Sequence, residues 1–294
     1  MNLLQVSGPG KIGGPTWDLL ADLRQIFQYE FMQNAFIAGT IVAVLAGVVG
    51  YFVVLRRLGF ACEALSHGGF AGATGAAVLG QDVFLGLVAF TSVSGAFMGF
   101  LGDRLRGRDV AIGGTLAFSL ALGSLFLTMS TRFSGLAINI LFGNILSIAL
   151  NDVRFIAGFA VAALCALAVM YRPLLFASVD SEIADARGVP VRLLSVAFMV
   201  LLAVTVSASV QVVGVLLIFA LMILPAAAAQ QLTAQPGRAI LLAVVLAVVF
   251  VWAGVVVGFY LPYPPSFFIT AFAFLTFLIV RTRLLQSSRF TSKP

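Results

Sequence analysis

Only one histidine occurs in the 294 residues, His67, and an acid, Glu63, stands four positions before it in the run FACEALSHGGFAG, residues 60–72. Residues four apart share a helix face, so imidazole and carboxylate project together. That donor pair suits zinc, and also manganese or iron. One chain supplies too few ligands for a closed tetrahedral zinc site. Two copies about a two-fold axis would supply two His and two Glu, and incomplete ligation suits a site that must release what it binds. A structural alternative stands beside this reading: His67 hydrogen-bonds a neighbouring helix, and Glu63 answers Arg56 or Arg57. Intramembrane proteolysis fits poorly. A single histidine excludes an HExxH pair, and Ser66, adjacent to His67, points about 100° away on a helix.

The elements that position this pair follow from composition. The chain is 61% hydrophobic and 10% charged, with a mean hydropathy of +1.11. Soluble domains carry about a quarter charged residues, so the fold expected is an all-α integral membrane bundle. Apolar segments fall at 31–55, 58–79, 83–101, 110–129, 153–171, 191–211, 212–230, 239–261 and 266–280. Each is near the ~20 residues that span the hydrocarbon, which gives eight or nine transmembrane helices. Segment 136–150 is apolar but carries Asn139, Gly143 and Asn144, and reads as a re-entrant or surface helix. His67 follows Arg57 by 67 − 57 = 10 residues, about 15 Å along a helix and roughly half-way through the ~30 Å core. An ionisable group at that depth is a functional candidate by default.

Lys and Arg orient the bundle. With nine spans and the N-terminus outside, 13 basic residues face the cytoplasm and four (Lys11, Arg24, Arg132, Arg154) face out. The net charge of +6 is accordingly a topology signal, and no nucleic-acid partner is expected. Residues 1–30 read as an extracytoplasmic leader, in which 17–29 has the spacing of an amphipathic helix lying on lipid. Residues 31–282 form the membrane domain and 283–294 a cytoplasmic tail. No cleavable signal peptide is evident, since 1–29 lacks a continuous apolar core. Cys62 and Cys165 lie in apolar context, so no disulfide framework is expected. Gly68 and Gly72 form a small-xxx-small pair open to a helix of this chain or of a second copy.

The longest polar insertion is SVDSEIADARGVP, residues 178–190. Ser178 and Asp180 are N-cap types, Glu182 favours a helix start, and Gly188 and Pro190 are stop signals. A short cytoplasmic helix over 181–187 is expected. In QVVGVLLIFALMILPAAAAQ, residues 211–230, Pro225 predicts a kink, and the alanines after it permit close helix packing. The turn LPYPPS, 261–266, should be stiff.

Taken in order, VGYFVVLRRLGFACEALSHGGFAG, LFGNIL with Asp152 after it, residues 180–189 and VGVLLIFALMILPAAAA resemble four segments of the membrane permease of bacterial ABC importers for divalent metals, the zinc/manganese family. The resemblance covers nearly everything after residue 30. It departs at Glu63, where the family often shows Asp or His, and in LPYPPS, where Pro and Tyr replace an acid before Pro-Ser and Phe267 replaces a Gly. It implies that Glu63 and His67 handle a transported divalent ion, zinc favoured and manganese next, with no resident cofactor. Asp180, Glu182, Ala184, Arg187 and Gly188 would form a coupling helix that docks a separate ABC ATPase, since no GxxxxGK[ST] loop occurs here. It further implies a periplasmic metal-binding protein as donor, a homodimer in the inner membrane, and no enzymatic activity in this chain. Asn139, Asn144 and Asp152 line an outer pathway or cap helices. A permease for an iron chelate or corrinoid is the alternative, disfavoured because such cargo needs a wide cavity.

Overall fold

The computed structural model describes residues 27–102, 108–129, 134–143, 145–261 and 263–291. The expected amphipathic helix in the leader lies outside these residues except at its end. The described elements are all helical: α1 (Glu30–Leu55), α2 (Gly59–Val78), α3 (Val83–Gly102), α4 (Arg108–Thr128), α5 (Ser134–Phe142), a 3-10 turn (Ile145–Ser147), α6 (Leu150–Val179), α7 (Ser181–Ala186), α8 (Val191–Val213), α9 (Val215–Leu232), α10 (Pro236–Tyr260) and α11 (Pro265–Thr291).

Eight of these are long and apolar enough to cross a membrane, and α2 is not among them. Its 20 residues are dominated by Gly and Ala and include Glu63 and His67, which lowers its hydropathy. It crosses nonetheless, because it lies full-length between two helices that qualify. Against α3 it runs antiparallel, with Gly72 at Gly86 and Gly69 at Leu87 and Thr91; against α4 it runs parallel, with Phe60 at Gly113, Gly68 at Ser119 and Gly75 at Phe126. At 1.5 Å per residue it spans about 30 Å. The Gly68–Gly72 face therefore packs inside this chain, Gly72 against α3 and Gly68 between α3 and α4. Lipid is as apolar as Leu, so helices here associate through close contact rather than hydrophobic exclusion, and the glycines of α2 provide that contact.

α1 is among the most buried helices. A Cβ on Gly47 would stand 2.7 Å from Val244 Cα on α10, and Phe52 is wedged edge-on against Tyr171 of α6 and Phe198 of α8. Asn34 donates to the Ile148 carbonyl at 3.2 Å, tying α1 to the chain just before α6.

The ambiguous segment 136–150 resolves into α5 and the 3-10 turn, joined at Gly143. Gly143 (φ 70°) sits backbone to backbone against Gly214 (φ 82°, ψ 164°), the single residue between α8 and α9. A Cβ on Gly143 would stand 2.6 Å from Gly214 N, and one on Gly214 would stand 2.5 Å from the Phe142 carbonyl carbon. Two chain reversals thus pack together where only glycine fits, and the break between these spans falls at Gly214 rather than at Gln211. Asp152 Oδ2 accepts the Ala149 N–H at 3.3 Å, a cap at the start of α6. Of the other two polar candidates in this region, Asn139 is exposed, and Asn144 lies outside the described residues.

α6 continues well past the expected end at 171, through Pro173, to Val179. Ser178 donates to the Leu174 carbonyl at 2.5 Å within that helix, so Asp180 alone caps α7. Its Oδ1 accepts from the N–H groups of Glu182 (3.1 Å) and Ile183 (3.0 Å). At the far end Val189 N–H reaches the Ala184 carbonyl and Gly188 N–H the Asp185 carbonyl. With Gly188 at φ 83°, this is a Schellman stop.

Candidate functional site

On α2 three arcs are covered by neighbours. Gly69 and Gly72 face α3, Gly75 faces α4, and Cys62 touches α9, its Sγ 3.5 Å from Met222 Sδ with both residues fully buried. Glu63 and His67, about 40° apart by helical geometry, fall in the gap between the α9 and α4 arcs. Both are half-buried. The structure thus brings the two predicted residues together on the least covered face of their helix.

Their neighbours show how polar groups are otherwise handled in this bundle. Ser66 Oγ donates to the Cys62 carbonyl at 2.9 Å, and Thr74, Thr91, Ser207 and Ser209 likewise bond the carbonyl one turn back. Gln230 donates to the Tyr51 carbonyl at 2.8 Å. The His67 Nδ1 atom, by contrast, is buried with no hydrogen-bond partner. Glu63 makes no hydrogen bond or ion pair among the described residues. Arg56, expected as its alternative partner, points elsewhere: Nη2 donates to Ser195 Oγ at 2.7 Å and the guanidinium lies over the Phe198 ring, both on α8. A buried polar group left unpaired costs about 1–3 kcal/mol. An imidazole and a carboxylate kept side by side without protein partners retain lone pairs for a cation. No cluster of three or more acidic, His or Cys ligands forms among the described residues. Ser66, tied to its own helix, is not placed to act with His67 as a nucleophile.

One unpartnered polar group packed against α2 was not anticipated from the sequence. Ser119 of α4 is fully buried with an unpartnered Oγ, and that atom lies 3.7 Å from where a Cβ on Gly68 would stand. No motif marks it, because its position beside α2 is purely tertiary.

The second candidate region is α7. Ala184 is 0% exposed and belongs to the core, so it seats the helix on the body and cannot itself meet a partner. Asp180 and Gly188 shape the two ends. Glu182, Ile183, Asp185 and Arg187 face outward, with the Arg187 guanidinium over the Phe176 ring. Ile183, 50% exposed, is the apolar centre of that outward face and was not singled out from the sequence.

A family model described as the ABC 3 transport family matches residues 28–283. The manganese transport system membrane protein MntC of Halalkalibacterium halodurans is 31% identical over 233 residues, covering 79% of this chain and 80% of that protein. The manganese import system permease protein ScaB of Streptococcus parasanguinis is 34% identical over 203 residues, covering 69% and 72%. Among solved structures, a chain of PsaBC from Streptococcus pneumoniae in complex with Fab superposes with a TM-score of 0.79 at 29% identity, over 89% of this chain and 95% of that one. The chain therefore belongs to the ABC 3 transport family, as its membrane permease, with ATP hydrolysis left to a separate subunit.

Proposed function

We propose that this permease imports a divalent first-row metal ion across a bacterial inner membrane by alternating access, with manganese ahead of zinc as cargo. The observation that carries the reading is the Glu63–His67 pair, held at mid-helix without protein partners on the open face of α2. Imidazole and carboxylate suit zinc and manganese alike; the relatives' names, MntC and ScaB, favour manganese. A second copy about a two-fold axis supplies the other half of the ligand set. The charge asymmetry supports an N-terminus outside and α7 in the cytoplasm, where the outward face of α7 docks the ATPase. A periplasmic metal-binding protein delivers the ion at the opposite end.

The test is uptake of radioactive manganese and zinc in cells whose own permease is deleted. His67→Leu refills the space but donates no lone pair, and Glu63→Gln keeps shape while removing charge. Both are expected to cut uptake at least tenfold while the protein still inserts and dimerises. Wild-type uptake by both variants would remove the path from this helix face.

A further inference from the structure

At the end of the bundle opposite α7, three separate parts of the chain meet around a cavity of about 280 Å³ lined by Asp82, Asn139, Ser147 and Gln211 over an apolar floor that includes Leu87 and Ile140. Asp82 precedes α3, Asn139 lies on α5, Ser147 on the 3-10 turn and Gln211 near the end of α8. From Val191 to Gln211 α8 climbs 211 − 191 = 20 residues, about 30 Å, so the cavity lies a full membrane thickness from α7.

Its polar wall is made of oxygen donors. One oxygen of the Asp82 carboxylate, Oδ1, accepts the Leu85 N–H at 2.9 Å, and Oδ2 makes no further hydrogen bond among the described residues. The amides of Asn139 and Gln211, both exposed, also make none there. A carboxylate and two amide carbonyls form a hard donor set of the kind that manganese, magnesium and calcium take, whereas soft sulfur and imidazole are absent from it. A single negative charge makes such a site weak, and the cavity is roomy enough for an ion that keeps several of its waters.

We infer that this cavity is a receiving site for a hydrated divalent cation, set one stage before the Glu63–His67 pair. It rests on the proposed import function for its role but not for its existence. His67 precedes Val78, the last residue of α2, by 78 − 67 = 11 residues, so the two stations are about 17 Å apart along that helix. Weak oxygen ligation at the outer station lets the ion leave for the stronger imidazole–carboxylate station. The donors also come from a helix corner, the 134–147 segment and the end of α8, so occupancy is sensitive to how those parts sit together.

The experiment is Mn²⁺ binding, read by electron paramagnetic resonance, to the full-length permease in nanodiscs of uncharged lipid. The His67→Leu protein is expected to keep one weak site per chain, with a dissociation constant of about 10⁻⁴–10⁻³ M as in low-charge oxygen sites. Adding Asp82→Asn should abolish it, and because Asn caps a helix as well as Asp does, the fold should survive. Adding Gln211→Glu instead supplies a second carboxylate and should tighten it severalfold. No weak site in His67→Leu, an unchanged isotherm in His67→Leu/Asp82→Asn, or no tightening by Gln211→Glu would each overturn the assignment. A failure of the import reading would appear as no manganese or zinc uptake by the wild-type permease and would leave these isotherms as they are, so the two can be told apart.

Discussion

Replacing Gly214 by alanine tests whether the paired reversals at Gly143 and Gly214 hold the bundle end together. Gly214 has φ 82° and ψ 164°, a region that is essentially closed to residues with a Cβ and costs about 1–3 kcal/mol. The added methyl would also stand 2.5 Å from the Phe142 carbonyl carbon, inside contact distance with backbone that cannot rotate away. Overpacking of that kind costs about 1–3 kcal/mol, so the two effects together reach about 2–6 kcal/mol. Gly143→Ala meets the same neighbour from the other side and should behave alike. Because both substitutions break one contact, the double variant should cost clearly less than the sum of the singles. Gly158→Ala in α6 is the control: nothing lies within 4 Å of its added methyl, and alanine is the better helix former by about 1 kcal/mol. The assay is thermal unfolding of purified permease, with uptake measured in parallel. Gly214→Ala is expected to melt several degrees lower and Gly158→Ala to melt no lower than wild type. Equal melting temperatures for Gly214→Ala and wild type, or strict additivity in the double variant, would refute the argument.

Two further outcomes follow from α7 and from the charge pattern. Ile183→Asp and the double variant Glu182→Ala/Arg187→Ala leave the seating of Ala184 intact, so both should insert normally but lower the metal-stimulated ATPase rate of the assembled transporter severalfold; an unchanged rate would exclude the outward face of α7 as the docking surface. A cysteine placed at Ser7 in a Cys62→Ala/Cys165→Ala background should react with an impermeant thiol reagent in intact spheroplasts while one at Ser288 should not, and the reverse pattern would invert the topology.

Local signals were legible in the sequence, and tertiary choices were not. The start and stop of α7 were readable because Asp180 and Gly188 act on backbone groups within a few residues of themselves. The Glu63–His67 pair was readable because helical spacing alone puts the two on one face. Which helix Gly68 and Gly72 admit was not, because a small-xxx-small pattern allows an approach without naming its partner. Arg172–Pro173 looked like the end of a span, yet Pro removes a single donor and α6 runs on for six residues beyond it. Ala184 read as one more member of a docking helix, but its burial depends on the body beneath it. The cavity at Asp82 was hidden because Asp82 and Gln211 are 211 − 82 = 129 residues apart and each is ordinary where it stands.

The unbroken run of α6 has a mechanical consequence. Its 30 residues make a rod about 45 Å long that ends at Asp180, the cap of α7, so a tilt of about 10° imposed at that end would sweep the Leu150 tip through about 8 Å. That tip is two residues from Ile148, whose carbonyl holds the Asn34 amide of α1. A small angular input at the α7 end would therefore be amplified into a displacement at the Leu150 tip larger than the Asn34–Ile148 hydrogen bond tolerates.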